Sequence, residues 1–175
     1  MDIASLERDI RSHHEAFVRL IHSMPVDLLE RTPNGKWSTG QHLEHIRMSV
    51  RPVALALSVP RWFLRWRFGS PNRPPRTYDA LVQRYKEKLS AGGRAPSRFV
   101  PRMVRAAEIH IAAAAMSRAV DDLCKRVRRW QEADLDHYLL PHPLLGKLTI
   151  REMLFFTIHH VQHHMALVQR DHFSS

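Results

Sequence analysis

Four histidines fall within six residues, His159, His160, His163 and His164, in the stretch TIREMLFFTIHHVQHHMALVQR. They form two pairs at i, i+4: His159/His163 and His160/His164. Residues four apart lie about 40° apart around an α-helix and roughly 6 Å apart at Cβ. Two imidazoles so placed can chelate one divalent ion, as in other helical His-x-x-x-His sites. The competing reading is a pair of core-edge histidines bonded to water. At about 100° per residue, Ile150, Leu154, Ile158, Val161, Met165 and Val168 cluster on one face. His160 and His164 lie at that face's edge, about 70 to 110° from its centre, whereas His159 and His163 lie nearly opposite, with solvent. The helical wheel therefore selects His160 and His164.

Two ligands make a weak site, so a third should come from another helix. A segment further upstream offers His42 and His45. Both lie off the charged stripe of Glu44, Arg47 and Arg51, and the wheel does not choose between them, although His42 is a little nearer the centre of the uncharged face. His13 and His110 are further candidates, each read as a core-edge histidine. Three neutral imidazoles leave a coordination position open, the arrangement of catalytic rather than closed structural sites. An ion held that way can acidify water for hydrolysis or activate a thiol. No general base stands out: Glu44 points with the arginines and Glu152 is committed to a capping box. Cys124 reads as a small core residue, and Met48 and Met165 as packing.

The elements that must carry these residues are helices. Apolar steps at Ile3, Leu6, Ile10, Phe17, Leu20 and Met24, with His13 filling the gap in the series, describe an amphipathic helix over 3–24, ended by Pro25 and Thr32-Pro33-Asn34-Gly35. Ser38-Thr39-Gly40-Gln41 reads as a capping box opening a second helix toward residue 58, with Pro52 expected to kink or shorten it. Residues 59–76 carry four prolines and read as an irregular connection, with a short helix after it at Tyr78–Leu89 and another loop at 90–101. A third long helix is expected over about Met103–Trp130, with a bundle seam at Ile109, Ala113, Met116, Val120, Leu123, Val127 and Trp130. Pro141–Lys147 reads as a loop. Thr149-Ile150-Arg151-Glu152 is a second capping box that opens a last helix running to about Arg170. No β-hairpin signal is read anywhere. The class is all-α: four long helices in an antiparallel bundle, with a long irregular crossover at about 59–101 between the second and third.

The chain has 175 residues, one domain's worth, and 44% hydrophobic content excludes disorder by composition. One cysteine excludes an internal disulfide. With a charged N-terminus lacking an apolar leader, this gives the expectation of a cytoplasmic protein. Val50–Phe68 is broken by prolines and arginines and cannot span a bilayer. Net charge is +10, and from His45 to Tyr78 there are seven arginines and no carboxylate. Trp62, Phe63, Trp66 and Phe68 interleave with Arg61, Arg65 and Arg67, a pattern that also suits nucleic acid or a membrane surface. The blander reading is a solvated basic surface with its aromatics packed over the bundle. A milder functional one is that the arginines draw a small anionic substrate toward a metal.

The segment Lys36-Trp37-Ser38-Thr39-Gly40-Gln41-His42-Leu43-Glu44-His45-Ile46 resembles the entry to the second helix in the DinB superfamily. His160-Val161-Gln162-His163-His164 resembles that family's closing His-x-x-x-His, and His142–Thr149 resembles the segment leading into its last helix. The resemblance covers both ends of the bundle and is vague over 60–105. It implies an up-down-down-up four-helix bundle and a divalent metal, often zinc or nickel, held by three histidines. Carried over by position, His45, eight residues after Trp37, matches the first ligand, and His160 and His164 match the other two. Members often carry Gln three residues after the last histidine; here Leu167 stands there. Some members are thiol transferases using low-molecular-weight thiols such as bacillithiol or mycothiol, and others are classed as metal-dependent hydrolases. The alternative function is a nucleic-acid- or anion-binding helical module whose metal is only structural. A homodimer would suit a bundle with an exposed apolar side.

Overall fold

A computed structural model describes residues 1–173. Among the described residues there are seven α-helices: α1 (Ile3–His22), α2 (Val26–Glu30), α3 (Thr39–Ala56), α4 (Arg61–Phe68), α5 (Tyr78–Ser90), α6 (Ile109–Val127) and α7 (Ile150–Phe173). The four longest pack in a closed ring: α1 touches α6 and α7, and α3 touches the same two. Leu6, Ile10, Phe17, Leu43, Ile46, Met116, Leu123, Leu154 and Val161 fill the core between them. No helix of the described residues is long and apolar enough to cross a membrane.

Both capping boxes form. Ser38 Oγ accepts from Gln41 N while Gln41 Oε1 accepts from Ser38 N, and Thr149 and Glu152 reciprocate in the same way. Pro52 neither kinks α3 to a stop nor shortens it: the helix continues to Ala56. One missing N–H costs one hydrogen bond, and Val53 and Ala54, buried on the next turn, hold the register.

Three sequence expectations need correction. The connection after α3 is not wholly irregular, because Pro60 starts α4, Leu64 anchors it in the core, and Gly69, at φ +80°, ends it. The third long helix begins at Ile109, not Met103. Residues 101–105 stay non-helical because Val104 is buried against the first turn of α3 at Gly40. A hairpin also exists, β1 (Leu139–His142) against β2 (Gly146–Thr149), in register from Leu139 opposite Thr149 to His142 opposite Gly146. Its signal was a three-residue loop closed by Gly146 in the left-handed region at φ +77°, masked by Pro141, which argues against a strand.

Gly40 shows how tightly α3 meets residue 104. A Cβ there would sit 2.9 Å from the Val104 carbonyl oxygen and 3.0 Å from Val104 Cβ. Gly to Ala in a helix ordinarily stabilises by about 1 kcal/mol. Here overpacking of about 1–3 kcal/mol opposes it, so Gly40→Ala is expected to lower the urea midpoint rather than raise it.

Candidate metal centre

His45 sits on the second turn of α3, and His160 and His164 on successive turns of α7; all three are buried. The packing of α3 on α7 brings their rings together. His45 Nε2 lies 3.2 Å from His160 Nε2, and His164 Nε2 lies 3.1 Å from His160 Nε2. One nitrogen of each of the three lies within 4.8 Å of the others, so the group could hold a metal ion. Two imidazole nitrogens each about 2.0–2.1 Å from a common ion, at angles between octahedral and tetrahedral, stand about 2.9–3.4 Å apart. The two separations to His160 fall inside that interval.

The tautomers agree with this. His45 Nδ1 is 2.7 Å from the Phe99 carbonyl, which can only accept, so Nδ1 carries the proton and Nε2 presents a lone pair. His42, the other candidate on α3, does not join the trio through its own nitrogens. Its Nδ1 lies 2.7 Å from His164 Nδ1, behind the ring that faces the centre. A proton on His164 Nδ1 donated to His42 leaves His164 Nε2 free as a donor atom. Trp37 closes the other side, its ring 4.8 Å from His45 and stacked at 12° on His164.

The remaining histidines are distributed elsewhere. His13 hydrogen-bonds Gln162, which also accepts from Tyr78 Oη, on the α1–α5–α7 seam. His110 is exposed and packs on His22. His159 and His163 are not left with solvent as the wheel implied. Tyr85 of α5 packs edge-on against both, ring centroids 5.8 Å away, because the crossover folds α5 back over α7. Glu44 is largely buried and held by Arg47 through two hydrogen bonds, so its carboxylate is spent on that guanidinium. Cys124 is buried, and burial pushes its thiol up to about 11, so it packs and does not attack.

Two histidines that the sequence reading passed over border the centre. His14 is buried on α1; its Nδ1 donates to Ile10 O at 2.7 Å, and its Nε2 is buried with no hydrogen-bond partner. His142, on β1, accepts at Nδ1 from the Leu144 and Leu145 amides, so its proton sits on Nε2. The gap between Ile10 and Phe17 is filled by His14 and not by His13: both fit steps of three and four, and His14 is the one turned into the core. The His14 and His142 rings line a cavity of about 730 Å³ beside His45, His160 and His164.

Burial pushes His14, His42, His142 and His163 down to about 4, and His160 and His164 well below the ordinary value, so the cluster is a set of neutral lone pairs at neutral pH. Because these pKa values are depressed on folding, the unfolded chain takes up protons first as pH falls. Stability is complete above about 6.5 and drains away between there and about 4. His14 alone should account for about 3 kcal/mol over that interval. Urea unfolding of metal-free protein from pH 8 to 4.5 is expected to show a steep loss, made shallower by about one proton in His14→Phe. An unchanged slope in that variant would show that His14 is not buried neutral.

Among comparisons with known proteins, no curated protein and no solved structure matches the chain. A family model described as the DinB superfamily matches residues 9–168.

Proposed function

The chain belongs to the DinB superfamily, and on that footing we propose that it is a metal-dependent enzyme whose ion, zinc or nickel, is held by His45, His160 and His164. The observation that carries this reading is the meeting of three neutral, buried Nε2 atoms from two helices, with His45 oriented through Phe99. We read the ring of α1, α3, α6 and α7 as the family's bundle in up-down-down-up order. A divalent ion at this centre polarises an oxygen or sulfur donor and lowers its pKa.

The chain's own groups supply the rest. His42 holds the His164 ring in place, as the Phe99 carbonyl holds His45. Trp37 and Phe156 pack against the histidines and keep water from their flanks. Among the described residues no carboxylate lines the cavity, so none of their Asp or Glu side chains is placed to act as a base on substrate. That favours thiol transfer, where acidifying the thiol suffices, over hydrolysis, where a carboxylate commonly positions the water. In this transfer the thiol proton would pass to solvent and the sulfur would form a bond to an electrophilic carbon of a small, anionic substrate, while that carbon's bond to its leaving group breaks and the leaving group takes the electron pair.

The test is a comparison of metal-free, zinc-loaded and nickel-loaded protein, made without a chelating tag, on two substrate panels: a small thiol with alkylating electrophiles, and activated esters and amides. Turnover of the thiol panel, requiring metal and absent in His164→Ala, is the expected result. Tight metal binding with turnover on neither panel would reduce the metal to a structural role and sink the enzymatic reading.

A further inference from the structure

The cavity beside the three histidines has a composition that neither the metal nor a small polar thiol requires. Its volume, about 730 Å³, lies in the range of sites that enclose a drug-sized ligand. Its walls are hydrocarbon: Val53 from α3, Phe63 and Phe68 from α4, Leu144 from the hairpin, and Met153 and Phe156 from α7. The polar part of the lining is six histidines, a few hydroxyls and four arginines, with no aspartate, glutamate or lysine among the described residues. Arg47 is neutralised by Glu44. Arg51, Arg94 and Arg98 are exposed and, among the described residues, pair with no carboxylate. They come from two separate elements, α3 and the loop before residue 99, and converge on one cavity. Leu55, half exposed at 53%, stands beside them.

Within the walls, His14 is a polar side chain 98% buried by its 2% exposure, folded so that Nδ1 is spent on its own helix. Its Nε2 is shut off from accessible space, so His14 adds ring carbon to the wall and no polar contact for a ligand.

We propose that this cavity binds an amphiphilic anion: an alkyl or aryl acid, its hydrocarbon body against the wall of α3, α4 and α7, its acid group among Arg51, Arg94 and Arg98. Large apolar walls exclude a mainly polar ligand, because burying its polar groups unpaired is unfavourable. The absence of any lining carboxylate excludes a cationic one. That this ligand class is the substrate rests on the enzymatic reading above; that the cavity binds it does not.

The experiment separates the two. Calorimetric titrations on metal-free protein, and in parallel on zinc-loaded protein, use hexanoate, octanoate and decanoate, with decan-1-ol and decyltrimethylammonium as controls. Decanoate should bind with one-to-one stoichiometry, tightening about fourfold per methylene along the acid series, the value for a CH₂ leaving water. Decan-1-ol should bind at least fivefold more weakly than decanoate, and the cation not measurably. The Arg51→Glu/Arg94→Glu double variant, confined to exposed side chains, should lose at least tenfold for decanoate and little for decan-1-ol. Arg65→Glu/Arg67→Glu, on the outer face of α4, should change neither. Ala56→Trp, which fills the cavity from α3, should abolish both. Chain-length independence, equal binding of the cation, or equal losses in the two arginine pairs would mean general attraction to a basic surface and overturn the proposal. If decanoate binds as expected while zinc does not bind at all, the metal reading fails and the cavity assignment stands. If zinc binds and decanoate does not, the reverse holds.

Discussion

His160→Ala and His164→Ala are each expected to lose metal affinity by a few hundredfold while remaining folded. Structural zinc sites with four ligands are worth about 10–16 kcal/mol, roughly 2.5–4 kcal/mol per ligand, and each 1.4 kcal/mol is tenfold. Removal of His45 should cost as much, because its Nε2 stands 3.2 Å from His160 Nε2. His42→Ala should cost less, about 10- to 100-fold, because its nitrogen meets His164 on the ring edge turned away from the centre. The measurement is elemental analysis after dialysis against a graded chelator series, with far-UV circular dichroism to check helix content. The ranking is the informative part. If His42→Ala lost metal as severely as His45→Ala, His42 would be a direct ligand and the assignment of roles on α3 would be reversed.

The largest effect on stability should come from a residue outside the metal centre. Glu152, on the first turn of α7, is fully buried. Its carboxylate accepts a bidentate pair from Arg73 (2.7 and 2.9 Å), the Arg76 amide and guanidinium (2.8 and 3.2 Å), and the Thr149 amide (2.9 Å). Burial alone would raise its pKa, but Arg73 and the two amides outweigh it and hold the carboxyl below its usual range. Glu152 thus closes a helix cap and pins the connection between α4 and α5 to the start of α7. Glu152→Ala leaves two partly buried guanidiniums and the Arg76 and Thr149 amides without their acceptor, a loss of about 3 kcal/mol. In a chain of this size that is a drop of about 10 °C in Tm. Glu152→Gln keeps the shape and one acceptor and should fall between. The exposed pair Glu15–Arg19, 3.9 Å apart with both side chains more than 60% exposed, is the control: Glu15→Ala should stay within about 0.5 kcal/mol. Equal effects at Glu152 and Glu15 would refute the role given to the buried network.

Much of the scaffold was legible because local chemistry specifies it. Ser38 with Gln41 and Thr149 with Glu152 announce helix starts by satisfying orphan amides, and both caps form. Apolar steps located α1 and the body of α6, and the caps located the starts of α3 and α7, because a buried stripe must recur with the turn of the helix and a cap must precede it. The errors fell where tertiary contacts overrode local signals. Residues 103–105 carry no breaker, yet Val104 is drawn into the core against Gly40 and delays α6. Leu139 and Leu140 pair with Thr149 and Leu148 despite Pro141, because the hairpin needs only four residues a side.

Sequence by itself determined that His160 and His164 share one edge of the last helix, since residues four apart on a helix have no other choice. It could not determine which histidine of α3 approaches them, or that Tyr85 covers His159 and His163, or that His14 and His142 border the same cavity. Those outcomes depend on the rotation and axial offset of one helix against another. Core residues such as Leu43, Ile46, Leu154 and Val161 set these by interlocking, and a single helix carries no record of its neighbour's height.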